Sequence, residues 1–244
     1  MDFKQLFGDK DGCFILYSLD SKKTVAEFNK KKCAERLSPC STFKIPIALM
    51  AFDQGILKDT DTVIKWDGVD HHDVDWNRDQ TPVSWLKFST LWVSQWITPK
   101  VGMPKINKYL ADFKYGNQDT SGGITQFWLW STLKISAREQ ILFFERLWSG
   151  RLAVSSRAME LTKKSMDSEA SASGTIITGK TGSGYFGDQS NPATPRVGWY
   201  VGHLQHGKEE YFFATNFTGQ TAGHSGGPIA RAITRQILKE LGLF

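Results

Sequence analysis

The stretch Pro39-Cys40-Ser41-Thr42-Phe43-Lys44-Ile45-Pro46 decides how the rest of the chain is read. Ser41 is placed to open a helix: Ile45, Leu49 and Phe52 recur at i, i+4 and i+7, and Gly55 follows where a helix should end. Pro46 falls in or just after the first turn, where a missing N–H is least costly. Ser41 and Lys44 are three residues apart, so on a helix the hydroxyl and the amine rise from one face. Taken alone, S-x-x-K reads as a helix N-cap followed by a solvated lysine. Here the apolar run Ile45-Pro46-Ile47-Ala48-Leu49-Met50 predicts a buried central helix, which would also bury the lysine stem. The pair then reads as a nucleophile beside a potential base, at the positive end of a helix dipole.

A chain of 244 residues suits one large domain or two intimate lobes, and 40% hydrophobic residues are enough for a sizeable core. Nine tryptophans are many, and several are candidates to line a cleft. No apolar run reaches membrane-spanning length, and Met1-Asp2-Phe3-Lys4 does not read as a secretory leader. A soluble protein, or the mature part of one, is expected. The formal charge of +5 includes basic clusters at Lys22-Lys23 and Lys30-Lys31-Lys32, without any RNA-binding or zinc-finger motif. These clusters read as solvated faces, compatible with attraction of small anions. Cys13, Cys33 and Cys40 permit at most one disulfide.

The periodicities give strands over 13–17 and 25–28 joined across Asp20-Ser21-Lys22, then the Ser41 helix, then a polar surface loop over 67–80 with Trp76 as its exception. Helices are expected over 83–101, 106–113 (ended by Tyr115-Gly116-Asn117) and 152–164, with another starting at the capping box Ser136-Ala137-Arg138-Glu139. Ser168 to Gly174 reads as a small-residue turn. Strands follow over 175–180, 197–204 and 210–216, the last two joined by His206-Gly207, and a helix over 229–241 closes the chain. The order predicts an α+β fold: an antiparallel sheet built from both chain ends (about 1–33 and 173–244) and flanked by helices, with a helical lobe (about 34–172) inserted.

Lys180-Thr181-Gly182-Ser183-Gly184 ends the 175–180 strand. Its glycines let a ligand lie against the strand edge, and Lys180 and Thr181 offer an ammonium and a hydroxyl. An S-x-x-K followed by K-T-G is a pair found in penicillin-recognising serine enzymes. With Ser89-Thr90-Leu91, Tyr115-Gly116-Asn117 and Phe127-Trp128-Leu129 in order between them, the sequence resembles the class D (oxacillinase-type) serine β-lactamases along nearly its whole length. Two positions depart from the family pattern: Leu91 stands for the usual valine, and Cys40 for the common alanine.

The resemblance implies the penicillin-recognising serine hydrolase fold and assigns roles. Ser41 would be the nucleophile and Lys44 the general base, carrying a carbamate formed from CO2, with no separately bound cofactor. Burial supports a neutral Lys44, the only form that can add CO2 or take a proton. Trp128 would hold the carbamate through its indole N–H. Ser89 would relay a proton to the leaving lactam nitrogen, with Lys180 beside it. The backbone N–H groups of Ser41 and Ser183 would form the oxyanion hole. Thr181 would hold the substrate carboxylate, with Ser225 or Arg231 as a second anchor, and Leu91, Leu129 and Trp76 would supply apolar walls. The resemblance also implies a small β-lactam substrate, antibiotic resistance, no nucleic-acid or membrane partner, and a periplasmic location. Two alternatives share the fold: a penicillin sensor acylated without turnover, and a cell-wall DD-peptidase, whose typical Ser-x-Asn motif is absent.

Two literal motif matches lack their context. Gly174 to Thr181 fits a phosphate-loop pattern, but the strand lies inside the match. Gly223-His224-Ser225-Gly226-Gly227 fits the hydrolase elbow G-x-S-x-G, but no His or Asp follows Ser225. His71, His72, Asp73 and Asp75 read as a solvated loop rather than a metal site, and Cys33 and Cys40 as packed thiols.

Overall fold

The computed structural model describes residues 2–172, 174–188, 190–191, 193–221 and 225–244. The Ser41 segment sits where two layers meet. On one side is a sheet of six strands: β1 (Asp11–Ser18), β2 (Lys23–Phe28), β3 (Asp167–Ala170), β4 (Ile176–Tyr185), β5 (Arg196–His206) and β6 (Glu209–Gly219). Their order across the sheet is β2-β1-β6-β5-β4-β3, antiparallel at every pair, so strands from both chain ends interleave. The α+β fold expected from the sequence is therefore the one observed.

Helices cover both faces. Among the described residues they are α1 (Phe3–Phe7), α2 (Lys30–Ala34), α3 (Lys44–Asp53), α4 (Pro82–Phe88), α5 (Leu91–Val101), α6 (Met103–Phe113), α7 (Ala137–Trp148), α8 (Ser156–Ser165) and α9 (Gly226–Glu240). The final helix turns Ala230, Ile233, Ile237 and Leu238 onto Phe14, Leu16, Tyr200, Phe213 and Phe217 of the sheet, as its periodicity requires. Each such buried side chain contributes roughly 1.5–3 kcal/mol. The opposite face of the sheet carries the larger core, with α3 at its centre. Every residue of α3 from Lys44 to Phe52 is buried, which is why its sequence is apolar on all sides.

Several expectations change. Ser41 does not open an α-helix; it lies in a 3-10 turn, Cys40–Phe43, and α3 begins at Lys44. Pro46 has no N–H to give the Thr42 carbonyl, so the turn is closed instead by the Lys44 N–H on the Ser41 and Thr42 carbonyls. The helix expected over 83–101 is broken at Ser89, whose left-handed backbone (φ 55°) ends α4. The helix expected from 152 starts at Ser156, and the final helix starts at Gly226. Part of the small-residue turn at 168–174 is strand β3, while Ser173 lies outside the described residues. Strand β4 does not stop at Lys180 but runs through the glycines to Tyr185. Lys32 is buried rather than solvated, its ammonium 3.0 Å from both Asp11 and Glu35. All three cysteines are free and buried.

Tyr115-Gly116-Asn117 proves to be a clamp. The Asn117 side chain accepts from the Lys134 N–H at 2.8 Å and donates to the Thr132 carbonyl at 2.9 Å. Gly116 has φ 55°, and a Cβ there would stand 1.9 Å from the Lys134 carbonyl oxygen. Gly116→Ala should therefore destabilise the fold by about 2–4 kcal/mol, read as a lower urea midpoint; an unchanged midpoint would show that the 132–135 backbone yields freely.

Candidate active site

Three segments distant in sequence converge on one cleft. The Cys40–Phe43 turn supplies Ser41, the break between α4 and α5 supplies Ser89, and the second half of β4 supplies Lys180, Thr181 and Ser183. Strand β3 pairs only with Ile176–Gly179, so among the described residues no strand continues the pairing beside Lys180–Tyr185. The serine turn packs against this stretch through its glycines. Glycine makes the approach possible: a Cβ on Gly182 would stand 3.0 Å from the Pro39 carbonyl oxygen, and one on Gly184 would stand 2.5 Å from the Cys40 sulfur.

The serine turn is held from all sides. The Cys40 N–H donates to the Trp128 carbonyl at 3.0 Å, the Trp199 indole to the Ser38 carbonyl at 2.9 Å, and Gln140 to the Thr42 hydroxyl at 3.0 Å. Cys40 itself is left-handed, with φ 50°. For a residue bearing a side chain, that conformation costs about 1–2 kcal/mol, which this network offsets.

Lys44 is completely buried, and its Nζ lies 3.1 Å from the Ser41 Oγ. Burial, reinforced by the positive charge of Lys180, holds its pKa well below the ordinary lysine value, which favours the neutral amine. Lys180 is also buried; desolvation is the largest influence on it, the charge of Asp167 opposes that and Arg231 adds to it, and its pKa falls from 10.5 to about 7. Its ammonium donates to the Ser89 Oγ and, at 3.1 Å, to the Thr181 carbonyl. Trp128 is buried with no partner for its indole N–H. It stacks on Phe43, with ring centroids 5.9 Å apart.

The cleft encloses about 310 Å³ and is lined by Ser41, Lys44, Trp76, Ser89, Leu91, Leu129, Trp130, Thr181, Ser183 and Ser225. Of the residues singled out in the sequence, Ser41, Lys44, Trp76, Ser89, Leu91, Leu129, Thr181, Ser183 and Ser225 line it, whereas Lys180 and Trp128 lie behind that surface. Trp76 is fixed by its indole N–H on the Phe88 carbonyl at 3.0 Å. Trp130 was not anticipated from the sequence; its one signal was its place at the end of the run Phe127-Trp128-Leu129-Trp130. Arg231 is engaged elsewhere, 3.3 Å from Asp167 and 3.0 Å from Glu169, because α9 carries it under β3 rather than into the cleft. Gly223 and His224 of the G-x-S-x-G match lie outside the described residues. His71 contacts Asp67 and stacks on Trp92, and among the described residues no metal-binding cluster forms.

The site thus brings a buried lysine pair and two serines together beside a glycine-rich strand. The domain profile named Penicillin binding protein transpeptidase domain matches residues 12–239. Beta-lactamase OXA-1 of Escherichia coli is 42% identical over 221 residues, covering 88% of this chain and 78% of that protein. The class D β-lactamase of Bacillus subtilis superposes with a TM-score of 0.88 at 34% identity, over 100% of this chain and 97% of that one. The C-terminal domain of the Bacillus licheniformis BlaR penicillin-receptor superposes with a TM-score of 0.91 at 28% identity, over 100% of this chain and 96% of that one. The chain belongs to the class D serine β-lactamases.

The depressed Lys180 pKa links the site to stability. Below about pH 7 the folded protein must hold a buried ammonium at Lys180; above it the folded lysine is neutral while the unfolded chain keeps its proton to near 10.5. Stability should therefore rise with pH across that window, by up to about 1.4 kcal/mol per unit from this residue. Urea unfolding between about pH 7 and pH 9 should show a smaller slope in Lys180→Met than in the unaltered protein; equal slopes would mean that Lys180 titrates normally.

Proposed function

We propose that the protein hydrolyses the β-lactam ring of penicillin-type antibiotics through an acyl-enzyme on Ser41, and so confers resistance to them. The observation that carries this reading is the completely buried Lys44 amine within hydrogen-bond reach of the Ser41 hydroxyl, its charged form disfavoured by that burial. A neutral amine there can take the hydroxyl proton as the serine oxygen attacks the lactam carbonyl.

In this reading the backbone N–H groups of Ser41 and Ser183 receive the developing oxyanion, and removing such a donor typically costs about 10²–10³ in rate. The lactam C–N bond breaks, and its nitrogen takes a proton from the Ser89 hydroxyl, which Lys180 replenishes. A pKa of about 7 suits Lys180 to give and regain that proton near neutrality. Thr181, with Ser225 at the same end of the cleft, holds the substrate carboxylate, while Leu91, Leu129 and Trp76 pack against its apolar parts. Once the proton taken from Ser41 has passed from position 44 back to Lys180, water attacks the ester while the base at position 44 takes its proton. The ester C–O bond breaks, and that proton passes to the Ser41 oxygen, which frees the serine.

The residues around Lys44 also fit a carbamate formed with CO2. An amine kept neutral by burial can add CO2, and the unpartnered Trp128 indole N–H is a buried donor that such a group would satisfy. Bound there, CO2 would supply an anionic oxygen as base in place of the amine nitrogen. A periplasmic site of action fits the reading; among the described residues no helix is long and apolar enough to cross a membrane.

The structural likeness to a penicillin receptor keeps one alternative in view, acylation at Ser41 without release. The cell-wall DD-peptidase reading lacks a specific observation in its favour. With nitrocefin, a burst followed by steady turnover is expected, and a burst alone would favour the receptor-like reading. Lys44→Ala should lower kcat by at least about 10³-fold while slow stoichiometric acylation persists; near-normal turnover would overturn the assignment of the base. Acid treatment followed by neutralisation without bicarbonate should leave a slower enzyme that bicarbonate restores.

A further inference from the structure

The catalytic cleft is not the only cavity that Trp130 lines. The other is a cavity of about 410 Å³, lined by Ser38, Trp130, Lys134, Tyr185, Phe186 and Val197 among others. We propose that this second cavity is the subsite for the acylamino side chain of the β-lactam, and that it selects side chains carrying both an aromatic ring and an anionic group, with the Lys134 ammonium as counter-ion. The proposal rests on the β-lactam reading and names the substrate class within it.

Direction along β4 supports the assignment. Thr181, Ser183 and Tyr185 alternate with Gly182 and Gly184, and so share one side of the strand. In the proposed binding mode the substrate carboxylate sits at Thr181 and the reacting carbonyl at Ser183. A penicillin nucleus carries its carboxylate and its acylamino substituent at opposite ends, so the substituent runs toward Tyr185. Four residues of extended strand span about 13 Å, the reach of a nucleus plus a side chain.

The chemistry of the cavity then reads directly. Trp130 and Tyr185 meet edge to face with centroids 5.5 Å apart, which offers an aromatic wall at the boundary with the cleft. The Arg196 guanidinium lies 4.0 Å over the Tyr185 ring, so the electrostatic field behind that wall is positive. Lys134 is anchored through its backbone: its N–H donates to the Asn117 side chain at 2.8 Å, and its carbonyl accepts from the Asn117 N–H at 2.9 Å. No described residue forms an ion pair or hydrogen bond with its ammonium. A half-buried cation without a partner among the described residues, beside aromatic surface in a cavity that shares Trp130 with the cleft, is matched by a carboxylate on an aryl side chain.

Benzylpenicillin and α-carboxybenzylpenicillin differ by that one carboxylate, and their acylation rate constants at Ser41 can be followed by intact mass. The ratio of the second to the first should fall at least about fivefold in Lys134→Met and return to within about twofold of the unaltered value in Lys134→Arg. An unchanged ratio in Lys134→Met would overturn the subsite. If Lys134→Met does not fold, the unaltered protein answers instead: the ratio should fall as salt rises from about 20 to about 500 mM, and a flat ratio would overturn the proposal. Because acylation is read separately from turnover, acylation without release would overturn hydrolysis but leave the subsite standing. Acylation by benzylpenicillin but not by α-carboxybenzylpenicillin would overturn the subsite alone, and failure of both compounds to acylate would overturn both readings.

Discussion

An amine with no water around it, set against a serine hydroxyl, is the constraint on which the molecule depends. Removing the Lys44 side chain from solvent makes its charged form expensive, and the nearby charge of Lys180 adds to that expense. The burial is produced by α3, apolar on every side and enclosed by the larger core. Phe43 completes the enclosure: its ring meets Tyr115, Phe127 and Trp128 at centroid distances between 5.2 and 5.9 Å. The packing that stabilises the fold and the desolvation that adjusts the base are one arrangement.

The partners of the serine turn come from far along the chain. Residues near 128, 140 and 199 all hydrogen-bond to the segment from Ser38 to Thr42. A left-handed Cys40 is sustainable because these contacts over-determine the turn. Ser89 is placed by the same kind of conformation, at the break that ends α4. Both serines therefore sit where the backbone departs from regular α-helix or strand, Ser41 in a turn held by Gln140 of α7 and Trp199 of β5, Ser89 between α4 and α5.

What the sequence made legible follows from how local each signal is. Ser41, Lys44 and Lys180 stood out because a hydroxyl and amines in short, fixed spacings are visible without a fold. The strands β1, β5 and β6 and the helix start at Ser136 were readable from alternation and capping. The break at Ser89 was not, since Trp85, Leu91 and Trp92 continue a helical apolar pattern across it. Strand β3 was missed because Asp167-Ser168-Glu169-Ala170 has a loop composition; it is held by pairing with β4 and by Glu169 on Arg231 and Arg235. Trp130 and the burial of Lys32 depend on which distant segments close over them, and no window of neighbouring residues contains that information.

The shortness of β3 has its own consequence. Where it ends, opposite Gly179, the sheet is left unfinished, and the next residues of β4 face the serine turn rather than another strand. Unpaired edges usually invite unwanted association between chains. Here the gap is shielded by a folded turn, open only along a narrow slot. The binding site can be described as a missing strand, its length set by how soon β3 gives out.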